Sequence, residues 1–314
     1  MKIKTCAYLS LAIYSFVLYV ACSKTVHSDD KDNITNTPNP NDSTINTPPT
    51  DSTFDTNNLV VNSTTCANAP NYGDSIVYLK PKKSGDFFVV PVNNNGVNGT
   101  YFSWPEGLKL NKNTGAINLS QSETGVRYNI AFIKKGTTDT CVSQLIVGGI
   151  TYLDAVYDLK KNDTLAKPVF NADPFTSPVC DASDDTDYPD NNGNGNNKCV
   201  FDDDSPGQRA NDKKLRVRTK SGIINLRKSV EDGLFGKNPK NGDSKMVQIR
   251  YNLNDASRKA NQKISVQLVY YENVSDIPSQ MQKDIDGKRA NMFNYKIIKG
   301  RPRPPFIIIA GFKK

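Results

Sequence analysis

The chain opens with Lys2 and Lys4 and an apolar, aromatic-rich run over 6–20, then turns polar from Ser23 to about Asn58. Beyond Leu59 the pattern changes to short runs in which apolar and polar positions alternate. Period-two alternation predicts half-buried strands, here over 76–79, 87–92, 101–104, 128–133 and 143–147. In the fourth run Tyr128, Ile130 and Phe132 alternate with Asn129 and Ala131. The turn formers Asn93-Asn94-Asn95-Gly96 and Asn113-Thr114-Gly115 punctuate the runs, as chain reversals at positive φ require. Strands at this spacing, with no helix-period stretch among them, predict a sandwich over 59–153. A second β-rich domain over 154–314 follows, with strands expected at 214–219, 223–226, 246–253, 264–271, 294–298 and 306–310. In 264–271, Ile264, Val266, Leu268 and Tyr270 share one face, while the other face is polar only at its start. One short helix is predicted over 278–290, capped by Asp276, with Pro278 near its first turn and Gly287 weakening its end.

The N-terminal pattern is chemically specific. A basic start, a short apolar stretch and the small residue Ala21 just before Cys22 form a secretory signal. The apolar run is too short for a membrane span of about 20 residues. A cysteine directly after the cut resembles the signal of bacterial lipoproteins, although Tyr19 stands where that family usually has leucine. The resemblance implies that 1–21 is removed, that Cys22 carries lipid, and that the membrane is a partner through that N-terminal lipid. Ser23 suits delivery to the outer membrane, and Asp29-Asp30 resembles a surface-export signal of Bacteroidota lipoproteins. The Asn/Thr/Ser/Pro-rich segment 22–58 cannot bury enough apolar surface to offset its ordering entropy, so it is expected to be a disordered tether. Pro38, Pro40, Pro48 and Pro49 stiffen it. Asp42-Ser43-Thr44 and Asp51-Ser52-Thr53 resemble the O-glycosylation acceptors of the same bacteria.

A second resemblance lies in residues 104–117. Trp104-Pro105-Glu106-Gly107-Leu108 followed by Asn111-Lys112-Asn113-Thr114-Gly115-Ala116-Ile117 is similar to a hairpin of bacterial Ig-like (cadherin-like) repeats. It implies an all-β fold, an Ig-like β-sandwich for the first domain, and no catalytic residues. Such modules are commonly spacers or adhesion units. The physical basis is that Leu108 and Leu110 face one side, the Asn-Thr-Gly turn reverses the chain, and Ile117 returns to the same core. After it, Asn118-Leu119-Ser120-Gln121 replaces the usual Gly-Thr-Pro.

With Cys6 in the signal and Cys22 lipidated, Cys66, Cys141, Cys180 and Cys199 remain. An even number in an exported chain reads as two disulfides, and four cysteines allow three pairings. Cys66 with Cys141 and Cys180 with Cys199 is favoured, since each pair then lies within one domain. A zinc site is the competing use. It is disfavoured because no CxxC spacing exists and the single histidine, His27, sits in the tether.

Residues 180–204 form an acidic loop with eight aspartates against Lys198. Asp190, Asn192 and Asn194 supply oxygens at the first, third and fifth positions of a calcium-type loop, with Gly195 at the sixth. The bidentate acid of such loops belongs at the twelfth position, which is Phe201, with Asp202 next. A structural calcium is therefore a candidate cofactor, and a solvated acidic loop without any ion is the alternative.

Residues 205–314 carry 24 Lys and Arg against nine Asp and Glu, a balance of +15. Outside the cytoplasm such a surface suits an anionic glycan or an envelope protein. The Arg301-Pro302-Arg303-Pro304-Pro305 connector is part of it, and specific nucleic-acid recognition is not expected. Half or more of the cations are equally explained as solvated faces and edge protection. Trp104, Tyr101, Tyr270 and Tyr271 are candidate sugar-stacking residues, with burial in a core as the alternative. Histidine-based nucleophile activation is absent from the folded part, glutamates are only four, and no phosphate loop or serine elbow occurs. The expectation is a non-catalytic, lipid-anchored envelope protein that binds a glycan or another surface partner through residues the sequence does not name. A structural or assembly subunit is the alternative, and a carboxylate-dependent hydrolase the third reading.

Overall fold

The computed structural model describes residues 61–62, 66–93, 96–180, 185, 187, 199–293 and 305–312. Cys22, the tether, the loop positions Asp190, Asn192 and Asn194, the strand expected over 294–298, and Arg301 and Arg303 lie outside the described residues. The fold is mostly β.

A first apolar core is enclosed by β1 (Val61–Asn62), β2 (Ile76–Val77), β3 (Phe88–Val89), β4 (Gly99–Trp104), β5 (Ile117–Asn118), β6 (Val126–Lys134) and β7 (Thr140–Val147). The main sheet runs β1-β7-β6-β4, with β2 also on β7, and β3 pairs with β5 in a second, two-stranded sheet. Alternation along β6 sends Val126, Tyr128, Ile130 and Phe132 into the core, where they meet Leu145 and Val147 of β7. Burying each such side chain contributes about 1.5–3 kcal/mol. Leu108 and Ile117 enter the same cluster, with Leu110 packed against it. The turn between them is built by Asn111, whose Oδ1 accepts from the amides of Asn113 and Thr114 at 2.9 and 3.1 Å. Gly115 completes it at φ 71°. A Cβ there would lie 2.7 Å from both Pro91 and the Tyr101 ring, so the tight turn and the close approach both need glycine.

The second core begins at Ile150. It is surrounded by β8 (Ile150–Tyr152), β9 (Ala155–Asp158), β10 (Leu165–Ala166), β11 (Pro168–Phe170), β12 (Val200–Phe201), β13 (Arg216–Val217), β14 (Ile224–Asn225), β15 (Ser244–Asn252), β16 (Gln262–Tyr271) and β17 (Phe306–Ala310). Its main sheet is mixed, ordered β12-β15-β16-β17-β9. β15 and β16 are antiparallel neighbours, whereas β16 and β17 are parallel. Parallel neighbours need a long crossover, and the helix Ser279–Phe293 lies within it. Ile264, Val266, Leu268 and Tyr270 face the larger cluster. Val269 and Tyr271 face the other way and pack with Ile308, Ala310 and the helix residue Ile285. The reverse face of β16 thus turns apolar where a helix covers it.

The helix expected over 278–290 is present. A second one, Leu226–Glu231, occupies the end of the run read as a strand over 223–226. Its cause is local: the Asn225 side chain accepts from the Lys228 amide at 3.0 Å, a cap that turns the chain helical directly after β14. Both favoured disulfides are formed, with Cα separations of 5.6 Å for Cys66–Cys141 and 5.3 Å for Cys180–Cys199.

The two cores meet at a buried polar seam. The Tyr251 hydroxyl lies 2.6 Å from Thr124 Oγ1, accepts from the Ile150 amide at 3.2 Å, and donates to Gln262 Oε1 at 2.9 Å. Gly149 passes so close that a Cβ would fall 2.4 Å from Gln262 Oε1. Asn171 joins in from β11's end, accepting from the Gly149 amide and donating to the Tyr78 hydroxyl at 3.1 Å.

Candidate functional site

The four aromatic residues considered for sugar stacking are all core residues, with 3–6 % exposure. Tyr101 packs on Phe132 at 4.8 Å between ring centroids, and Tyr270 on Phe235 at 5.7 Å. Burial also pushes the phenols of Tyr101, Tyr270 and Tyr271 above their ordinary value. None offers a face to a ligand. Strand alternation turns Tyr101 and Tyr270 inward with their apolar neighbours, while Trp104, three residues after Tyr101, is buried on the opposite face of β4.

A surface groove of about 550 Å³ instead opens beside the Cys66–Cys141 disulfide. Asn71, Asp74, Ser75, Asn93, Ser143 and Gln144 are among its lining residues. The lower wall is β7 and the upper wall is the irregular chain 66–75. That chain is held by a small amide lattice. The Asn71 amide donates to Asn93 Oδ1 at 3.0 Å, Asn93 Nδ2 donates to the Ala69 carbonyl at 2.8 Å, and Asn71 Oδ1 accepts from the Gly73 amide at 2.8 Å. The floor residue Tyr72 is turned away, its hydroxyl donating to the Gly115 carbonyl at 2.7 Å. Ser143 Oγ is buried without a hydrogen-bond partner. The lining is rich in amides and hydroxyls, and no Lys or Arg is among its described residues. Sequence reasoning missed this site because a groove built on loops leaves no periodic signal. The asparagines at 71 and 93 were legible only as turn formers.

The acidic loop is tied to the protein's own donors wherever its residues are described. Asp185 accepts from the amides of Lys220 and Ser221 at 2.9 and 3.1 Å. Asp187 accepts from Arg218 Nε at 3.1 Å and from Asn225 Nδ2 at 3.2 Å. Asp203 accepts from Asn252 Nδ2 at 3.2 Å. Asp204 accepts from the Ser205 amide and from Arg250 Nε at 2.8 Å, which hold its carboxyl below the usual range. Asp202 is buried in a ring of donors: the Ala210 amide at 2.5 Å, the Asn211 amide at 2.9 Å and Asn211 Nδ2 at 2.8 Å. Burial nonetheless pushes its carboxyl up. Arg216 pairs with Asp232, and Arg227 donates to the Leu159 carbonyl. Much of the acid–base asymmetry read in the sequence is therefore consumed internally. Among the described residues no group of three or more His, Cys, Asp or Glu side chains is placed to hold a metal ion.

An exposed apolar ridge lies on the first core's side of the chain. Phe88, Val90 and Val92 are 54–65 % exposed and alternate with the inward-facing Val89 and Pro91. They form a ridge along β3 and its continuation, beside the groove wall residue Asn93.

No family model matches the chain, and no curated protein matches it. Among solved structures, two cadherin repeats of human protocadherin-24 align over 61 % of this chain and 90 % of that one, at 10 % identity and a TM-score of 0.19. So loose a superposition says nothing of what this chain binds.

Proposed function

We propose that this chain is a non-catalytic, lipid-anchored protein of a bacterial outer membrane, probing its surroundings with an Ig-like domain and a second β domain, and that it binds a neutral glycan. The supporting observation is the groove of about 550 Å³ lined by Asn71, Asp74, Ser75, Asn93, Ser143 and Gln144. Side-chain amides, hydroxyls and a carboxylate match the donor and acceptor pattern of sugar hydroxyls, and a loop wall fixed by its own hydrogen bonds needs little ordering on binding. Asp74 in the lining, with no cation among the described lining residues, favours a neutral sugar over an acidic one. Anchoring at Cys22 is carried by the signal pattern, and the two disulfides agree with folding outside the cytosol.

The exposed ridge Phe88–Val90–Val92 favours a second reading, an assembly subunit that meets another envelope protein, since contiguous exposed apolar positions mark contact surfaces. One experiment separates the two. Purified protein is applied to an array of neutral bacterial and host glycans, with Gln144→Ala and Asp74→Ala alongside. A specific sugar should bind, and the double variant should lose about tenfold or more in affinity with an unchanged melting temperature. A blank array, together with cross-linking on cells that depends on Phe88, would transfer the function to the ridge.

A further inference from the structure

We propose that the turn between β13 and β14 is a preformed receptor for an acidic peptide, and that Asp185 and Asp187 are its built-in occupants. The turn keeps its shape without those two residues. The Arg218 amide donates to the Ile223 carbonyl at 2.8 Å, the Gly222 amide to the Arg218 carbonyl at 2.9 Å, and the Ile223 amide to Ser221 Oγ at 3.2 Å. Beneath it the buried Tyr152 hydroxyl donates to the Gly222 carbonyl at 2.6 Å. Gly222 sits so tightly on the Phe201 ring that a Cβ would come within 2.4 Å. Every one of these contacts belongs to the second core, and none uses Asp185 or Asp187.

What the turn presents outward is an anion site in two parts. The consecutive amides of Lys220 and Ser221 receive both oxygens of Asp185, a backbone nest of the kind that holds carboxylates and phosphates. Arg218 Nε and Asn225 Nδ2 receive the two oxygens of Asp187. Asn225 is fixed for this task, because its Oδ1 is engaged in capping the helix that follows. The two carboxylates held here are two residues apart in the sequence, so the site reads a carboxylate, a spacer and a carboxylate. Its present occupant is a peptide, Asp185-Thr186-Asp187, which favours an acidic peptide over an acidic polysaccharide. The occupant is tied to the core by the Cys180–Cys199 disulfide, 19 residues apart, which keeps it nearby at high effective concentration. A partner bearing a similar acidic strand must displace it, so binding is weakened by the fraction of time the site is covered.

The test uses the purified exported chain and a labelled synthetic peptide of residues 183–189 added in trans, followed by fluorescence anisotropy at low salt. Asp185→Ala with Asp187→Ala should bind the peptide about tenfold or more tightly than the wild type. Adding Arg218→Gln should abolish the gain. No binding by a folded double variant, or binding indifferent to Arg218→Gln, overturns the proposal. So does a polyuronate that competes better than the peptide, which would make the site a glycan reader. Should the double variant unfold, hydrogen exchange on the wild type decides. The Lys220 and Ser221 amides should exchange faster than that of Gly222, because opening of the acidic segment frees the first two only; equal protection overturns the idea.

Discussion

Asp202 shows what a single position can hide. In the sequence it follows Phe201 at the place where a calcium loop would want its bidentate acid. In the fold it sits at φ 60°, 2 % exposed, with its carboxylate accepting three hydrogen bonds from Ala210 and Asn211. It is a staple for the 205–215 loop. Asp202→Ala would leave two buried backbone donors unsatisfied, and each such loss costs about 1–3 kcal/mol. Thermal unfolding should show about 3 kcal/mol less stability for this variant. The aromatic residues teach the converse. Tyr101, Trp104, Tyr270 and Tyr271 carry both a stacking face and a large apolar payload, and composition alone cannot choose between those uses. Burial at 3–6 % exposure chose the second.

At the scale of elements, the long strands were legible because their alternation is strict. β6 and β16 cover the runs expected over 128–133 and 264–271 with one or two extra residues at some ends, and β15 begins two residues before the run expected over 246–253 and stops one short of its end. The apolar Val269 and Tyr271 on the otherwise polar face of β16 were already a sign of a second covering layer, which the helix Ser279–Phe293 supplies. Short elements were less legible. The helix Leu226–Glu231 is too brief for a periodic signal, and its cap, Asn225, reads equally well as a turn residue. This helix is bound to β13 by Arg216 and Asp232. Burial raises the Asp232 carboxyl, but the hydrogen bonds and charges of Arg216 and Lys228 outweigh it and hold the group below the ordinary range. A carboxyl with a lowered folded pKa stabilises the fold above its unfolded value, near pH 3.9, and loses that contribution as pH falls through the lower folded value. Arg216→Gln should therefore melt well below the wild type at pH 6 to 7. The gap between the two melting curves should narrow in acid, below about pH 4.

At the scale of the molecule, the decisive feature is the seam around Tyr251. The described residues belong to one compact unit, although separate apolar clusters lie within it. Thr124 comes from the chain of the first core, Tyr251 and Gln262 from the hairpin of the second, and Gly149 and Ile150 from the link between them. Tyr251→Phe keeps the ring packed on Phe201, 5.9 Å between centroids, and removes only the hydroxyl. It should cost about 2–3 kcal/mol, since the Ile150 amide and Gln262 lose a buried partner. Calorimetry should resolve two transitions where the wild type gives one. The sequence by itself determined the mostly β character, the main strands and one helix, because period-two burial and cap chemistry act over a few neighbouring residues. Only the tertiary structure decided which aromatics are interior, where the acidic loop's carboxylates find their donors, and how two cores become one body. Those outcomes depend on contacts between residues such as Thr124 and Tyr251, 127 positions apart, and no local pattern in a chain encodes such a distance.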